Sequence, residues 1–168
     1  GILYTGRHFA GAQNNVGGID LKYRLFKNLR ASISYLHSAT RPEEDLPEEK
    51  GGGLNVMLQY NTPKLYLTAA YERYDTDFYM ATAFQNRTGI CRGLVFLSPR
   101  FNMKINKLKW LKRIAPYANY SRLRDLGTGM VDNSGVIGVN LGFAPMGEIN
   151  FEYHLEDEAW AGQIPGEK

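Results

Sequence analysis

Cysteine is nearly absent. Cys91 stands alone in 168 residues, which excludes a disulfide framework and a cysteine-based metal site. Long apolar runs are missing too. That excludes a membrane-crossing helix but not a membrane-crossing strand, which needs only about nine to eleven alternating residues. The mean hydropathy of −0.37 therefore suits a soluble protein and a membrane barrel alike. Charge of one sign is lacking: 20 Lys and Arg stand against 17 Asp and Glu, a net +3. The cations are scattered and form no basic run, so nucleic acid is not an expected partner. Helical periodicity and low-complexity tracts are absent, and no linker divides residues 1–168, which read as a single β domain. The opening Gly1-Ile2-Leu3-Tyr4 reads as mid-strand, and a fragment or processed chain is expected.

What is present is alternation. Gly 18 and Tyr 11 suit a turn-rich β protein. In Gly52–Asp75, Leu54, Val56, Leu58 and Tyr60 share one parity, and Asn55 and Gln59 the other. After the turn composition Asn61-Thr62-Pro63-Lys64, Leu65, Leu67, Ala69 and Tyr71 oppose Thr68, Ala70 and Glu72. This is a β-hairpin. The same pattern recurs over 16–26, 29–35, 89–104, 114–120, 137–143 and 149–155, giving an all-β, antiparallel up-and-down meander of about 8–9 strands. Connections are expected at 6–15, 40–51, 76–88 and 125–133, all long. Short or moderate ones are expected at 27–28, 61–64, 105–111 and 144–147.

Three regularities point to a transmembrane β-barrel or a piece of a larger one. Long and short connections alternate, which puts the long ones at one end. Tyr35, Tyr71, Tyr120 and Tyr153 end the apolar face toward the long loops, and Tyr60, Phe101 and Phe143 end it toward the short turns. Trp110 fits the second set. An aromatic ring with a polar tip favours a membrane interface. The opposite parity is polar, so Asp20, Lys22, Arg24, Glu72, Arg92, Arg100, Glu148 and Glu152 are expected to line a lumen. A soluble lipocalin-like barrel binding a small apolar ligand would alternate identically with the apolar side inward, and stands as the alternative.

Two segments resemble a known family. They are Thr5-Gly6-Arg7-His8-Phe9-Ala10-Gly11 followed by Asn14-Asn15-Val16-Gly17-Gly18-Ile19-Asp20, and Asp77-Phe78 with Ala83-Phe84-Gln85-Asn86-Arg87. The second is similar to the family's D-F-x-x-x-x-G-F-x-x-R loop, with Ala83 where glycine is usual. The family comprises uncharacterised bacterial outer-membrane barrels that follow an N-terminal carbohydrate-binding-type module in longer chains. The resemblance implies an outer-membrane location, a lipid bilayer as partner and a possible fused or associated carbohydrate-binding module. It implies no mechanism.

Chemistry is sparse. His8, His37 and His154 lack metal-site spacing. His154 beside Glu152, and His37 near Ser34 and Ser38, have no nucleophile pattern around them, so no catalysis, cofactor or metal is expected. The acidic loop Glu43-Glu44-Asp45 with Glu48-Glu49 lacks the EF-hand register. In the 77–87 loop, Phe78, Tyr79, Phe84 and Arg87 are the recognition candidates. The simpler expectation is that these apolar residues fold over the rim or into the lumen as a plug.

Overall fold

The computed structural model describes residues 1–9, 11–43, 45–81, 87–103 and 110–157. It is all-β. The strands are β1 (Ile2–Phe9), β2 (Ala12–Phe26), β3 (Leu29–Arg41), β4 (Glu49–Asn61), β5 (Leu65–Tyr74), β6 (Ile90–Pro99), β7 (Phe101–Asn102), β8 (Leu111–Asp125), β9 (Val131–Phe143) and β10 (Gly147–Asp157). They form one antiparallel sheet in chain order. β7 continues β6 past Arg100: Leu97 opposes Ala118 and Phe101 opposes Ile114, so the register runs through unbroken. The sheet is therefore nine strands wide.

It is not closed. Among the described residues nothing joins β1 to β10, and both are edges. Every neighbouring pair is antiparallel, so the first and ninth positions run parallel to each other. An all-antiparallel ring cannot be completed by these two strands alone.

Local chemistry fixes the turns. In the 62–64 turn the Thr62 hydroxyl accepts from the Leu65 amide (2.9 Å), a side-chain substitute for a backbone turn bond. Gly11 adopts φ +86° in the connection from β1 to β2, a left-handed conformation that glycine takes without penalty.

Several connections differ from expectation. Residues 6–15 are not a long loop: β1 and β2 pair through them, from Gly6 opposite Asn15 to Phe9 opposite Ala12. β3 and β4 likewise shorten the 40–51 loop, and β8 and β9 shorten 125–133. These ends carry polar residues on both faces, so the hydrophobic alternation stops there while the hydrogen-bond ladder continues. The loop-length asymmetry is accordingly lost at the first hairpin, and only the 75–89 connection is longer than the 103–110 connection at the opposite end.

The two faces differ in packing. Val16, Ser38, Gly51, Gly53, Ile90, Ser98, Ala115, Ser121 and Gly142 are buried, and register puts all of them on the face that also carries Asp20, Glu72 and Arg92. That is the concave side. The other side carries Ile19, Leu21, Ile33, Leu58, Val95, Leu97, Ile137, Ile149 and Phe151, each exposed.

Candidate functional site

The outward face is apolar and ordered by its aromatics. Tyr4 lies opposite Gly17, which lies opposite His37, and Tyr35 is two residues short of His37 on β3. From Tyr35 the row runs through Leu54 to Arg73, and Tyr71 is again two residues short. From Tyr71 it runs through Gly93 to Arg122, and Tyr120 is two short. From Tyr120 it runs through Gly135 to Leu155, and Tyr153 is two short. Each strand that climbs toward the long connections thus carries one tyrosine on this face, and each is shifted two residues for every two strands crossed. All five are exposed.

A second line follows at the other end. Tyr23 connects through Ala31 to Leu58, and Tyr60 is two residues further. Tyr60 connects through Leu67 to Leu97, and Phe101 is four further. Phe101 connects through Ile114 to Leu141, and Phe143 is two further. The slope has the same sense. Trp110 stacks on Phe143 with centroids 5.6 Å apart. Beyond the first line this face turns polar, at Gln13, Asn15, His37, Arg73, Arg122 and Arg124. Cys91 sits at that border, its thiol donating to the Tyr71 hydroxyl at 3.3 Å.

The concave face has three parts. One is a strap. Residues 75–81 fold back over β2, β3 and β4, and Phe78 is 1% exposed beneath them. Its ring lies 5.5 Å from that of Tyr74. A Cβ on Gly51 would fall 2.2 Å from the Phe78 nitrogen, so only glycine lets the strap seat. Asn14 holds it from both sides, donating to the Tyr79 carbonyl (3.0 Å) and accepting from the Ala81 amide (2.9 Å). The Tyr79 amide donates to the Ser38 hydroxyl (3.1 Å).

Phe78 is therefore an anchor and not a recognition surface, because burial takes it out of reach. Tyr79 is exposed. Arg87 pairs with Asp125 at 2.8 Å, and Phe84 lies outside the described residues. Asp125 also accepts from the Thr128 and Gly127 amides (2.8 and 3.0 Å). The Thr128 amide first, with Arg87, holds its carboxyl down at about 2.

The second part spans β5 to β10. Phe96 stacks on Tyr117 (5.9 Å) and meets Tyr66 edge-on (5.7 Å), and Arg100 lies 5.3 Å over the Tyr66 ring. A groove of about 530 Å³ opens beside them, lined by Arg113, Asn140, Asn150 and Glu152. Arg113 donates to Glu148 (2.6 Å) and Asn140 (3.0 Å). Glu152 accepts from the Tyr117 hydroxyl, from Asn150 (3.0 Å), and contacts His154 at 3.2 Å. Arg92 meets Glu72 at 3.6 Å and the Ser121 hydroxyl at 3.0 Å. Thr68 Oγ1 and Asn119 Oδ1, on either side of Phe96, are buried with no partner.

The third part is a groove of about 430 Å³ over β2, β3 and β4, where Lys22, Arg24 and Arg30 gather.

All eight expected lumen residues thus fall on the concave face, though not together. Asp20, Lys22 and Arg24 lie on β2, Arg100 lies four strands away, and Glu148 and Glu152 lie seven strands away. His37 is exposed outward while Ser34 and Ser38 face inward, so they form no cluster. Among the described residues no group of three potential metal ligands converges. Sequence reasoning missed Asn14, Ser38 and Gly51, whose link to the strap is long-range. It also missed Tyr4 and Tyr23, which complete the aromatic lines. No family model matches the chain, and no curated protein or solved structure matches it.

Proposed function

We propose that this chain is a membrane-spanning part of a bacterial outer-membrane β-barrel, serving as an anchor or channel and not as a catalyst. The tyrosine line carries this reading. A belt level with a bilayer surface must cross tilted strands diagonally. One residue per strand is about 3.3 Å along for about 4.8 Å across, a tilt of about 35°. Membrane barrels tilt by about 35–45°. A soluble sheet has no cause to hold five exposed tyrosines at one constant step.

The two lines bound a band of definite depth. On β4 the tyrosine line passes level with Asn55, five residues from Tyr60. On β9 it passes level with Val136, seven residues from Phe143. At this tilt the band between the lines is about 14–19 Å high, shorter than the apolar band of about 25 Å usual for membrane barrels.

The lipocalin-like alternative needs its apolar residues inside. Here the inside holds Arg92, Arg113, Glu148 and Glu152 beside a few aliphatics such as Val16 and Ile90, and most exposed aliphatic residues point out. In lipid both sheet edges must also be paired. β1 and β10 run parallel, so an all-antiparallel barrel needs an odd number of further strands between them. A carbohydrate-binding module as a fused or associated partner rests on the family resemblance alone.

The test is expression and refolding. Detergent-dependent folding, insertion into short-chain lipid vesicles and heat-modifiable gel mobility are expected. A monodisperse protein in plain buffer would sink the reading.

A further inference from the structure

We infer that the groove formed by Lys22, Arg24 and Arg30 is an anion site for a phosphate group. Arg24 and Arg30 are direct cross-strand partners. Both project to the concave side, the last such pair before the bulge between Arg24 and Phe26. Lys22 lies one row along the same face, opposite Ser32. Directly opposed like charges on neighbouring strands oppose pairing, and nothing local offsets them. Among the described residues none of the three has an ion-pair or side-chain hydrogen-bond partner. The nearest carboxylate on this face, Asp20, makes no ion pair with Lys22.

The contrast with the rest of the concave side is specific. Arg92 has Glu72 and Ser121, Arg113 has Glu148 and Asn140, and Arg100 has Asn61 and the Tyr66 ring. These three are thus partnered by the protein itself, whereas Arg7, on the same face of β1, is exposed. At β2–β3 three cations face a groove of about 430 Å³ instead, with Gln59 and Ser32 beside them as neutral donors. Two guanidinium forks and an ammonium match the oxygens of a tetrahedral oxyanion. The volume leaves room for a small organic group carrying the phosphate. The site lies beside the 27–28 turn, at the end opposite the strap.

Phosphate can come from a soluble ion or ester or from a lipid headgroup, and the experiment separates them. The full chain, refolded in neutral detergent at low salt, is melted with and without inorganic phosphate. It is melted again with phosphatidylglycerol micelles in place of the phosphate. A phosphate-dependent rise in melting temperature is expected, with a Kd at least tenfold weaker in Arg24→Gln/Arg30→Gln. Without phosphate that variant should melt no lower than the parent, because the opposed charges are gone. Arg122→Gln/Arg124→Gln, which removes the same charge from the outward face, should bind as the parent does. A response to the lipid alone would overturn a solute-facing site. Equal weakening in both double variants, or no phosphate response in the parent, would overturn the site itself. These outcomes are independent of whether the sheet spans a membrane, which the refolding experiment decides.

Discussion

The outward and concave faces share the same strands and obey different rules. Outward, Leu54, Val56, Leu58, Leu65, Leu67 and Ala69 make few specific contacts, and order appears only in the aromatic lines at the borders. Inward, Arg92, Arg100, Arg113, Asn14 and Glu152 have specific partners, and Phe78, Phe96 and Tyr117 are packed. A face adapted to a fluid apolar solvent needs hydrophobicity and correct ends. A face adapted to water and to an inserted strap needs individual geometry. The same substitution should therefore have opposite consequences on the two sides.

The largest effect should come from the inward packing. Phe78→Ala removes the buried anchor of the strap, and a loss of about 3–5 kcal/mol is expected, read by urea unfolding in detergent. A comparable loss in Gly51→Ala would tie the effect to seating of the strap, since its Cβ meets the Phe78 backbone.

The next test crosses the faces directly. Leu67→Arg places a charge on the outward band and should cost about 2–4 kcal/mol in a bilayer. Met57→Glu, on the exposed part of the concave side beside Lys22 and Arg30, should cost little. Equal costs would erase the distinction between the faces.

Smaller effects sharpen it. Thr68→Val removes a buried hydroxyl that has no partner, and should be neutral or stabilising by about 1 kcal/mol. The loop after β8 should respond to acid. Asp125 is depressed to about 2, so its contribution is fully present above the ordinary carboxylate range. It is lost as pH falls through about 2. The Thr128 amide resonance should titrate with that midpoint, and Asp125→Asn should abolish the titration.

Much of this was legible in the chain. Period-two alternation placed the strands and sorted Asp20 through Glu152 onto one parity, because a side chain's face depends only on counting. The polar strand ends were not legible. Asn14 and Asn15 lie where both faces are polar, so their pairing leaves no hydrophobic signal. The constant tyrosine step was hidden too, since it exists only once register relates Tyr4 to Tyr35 across β2. The strap's seat at Asn14, Ser38 and Gly51 depends on contacts across 27 to 67 residues of sequence. Its signals were Phe78 in a long connection and glycines at 51 and 53 on one parity. Neither named the other as partner.

The central claim is that the outward face meets lipid. The most direct measurement is a spin-label scan of residues 65–71 in a refolded bilayer sample, with Cys91 first replaced by serine. Oxygen, which partitions into lipid, should relax labels at Leu65, Leu67 and Ala69, and a water-soluble nickel reagent those at Tyr66, Thr68 and Ala70. A reversed phase, or accessibility without a two-residue period, would contradict the account.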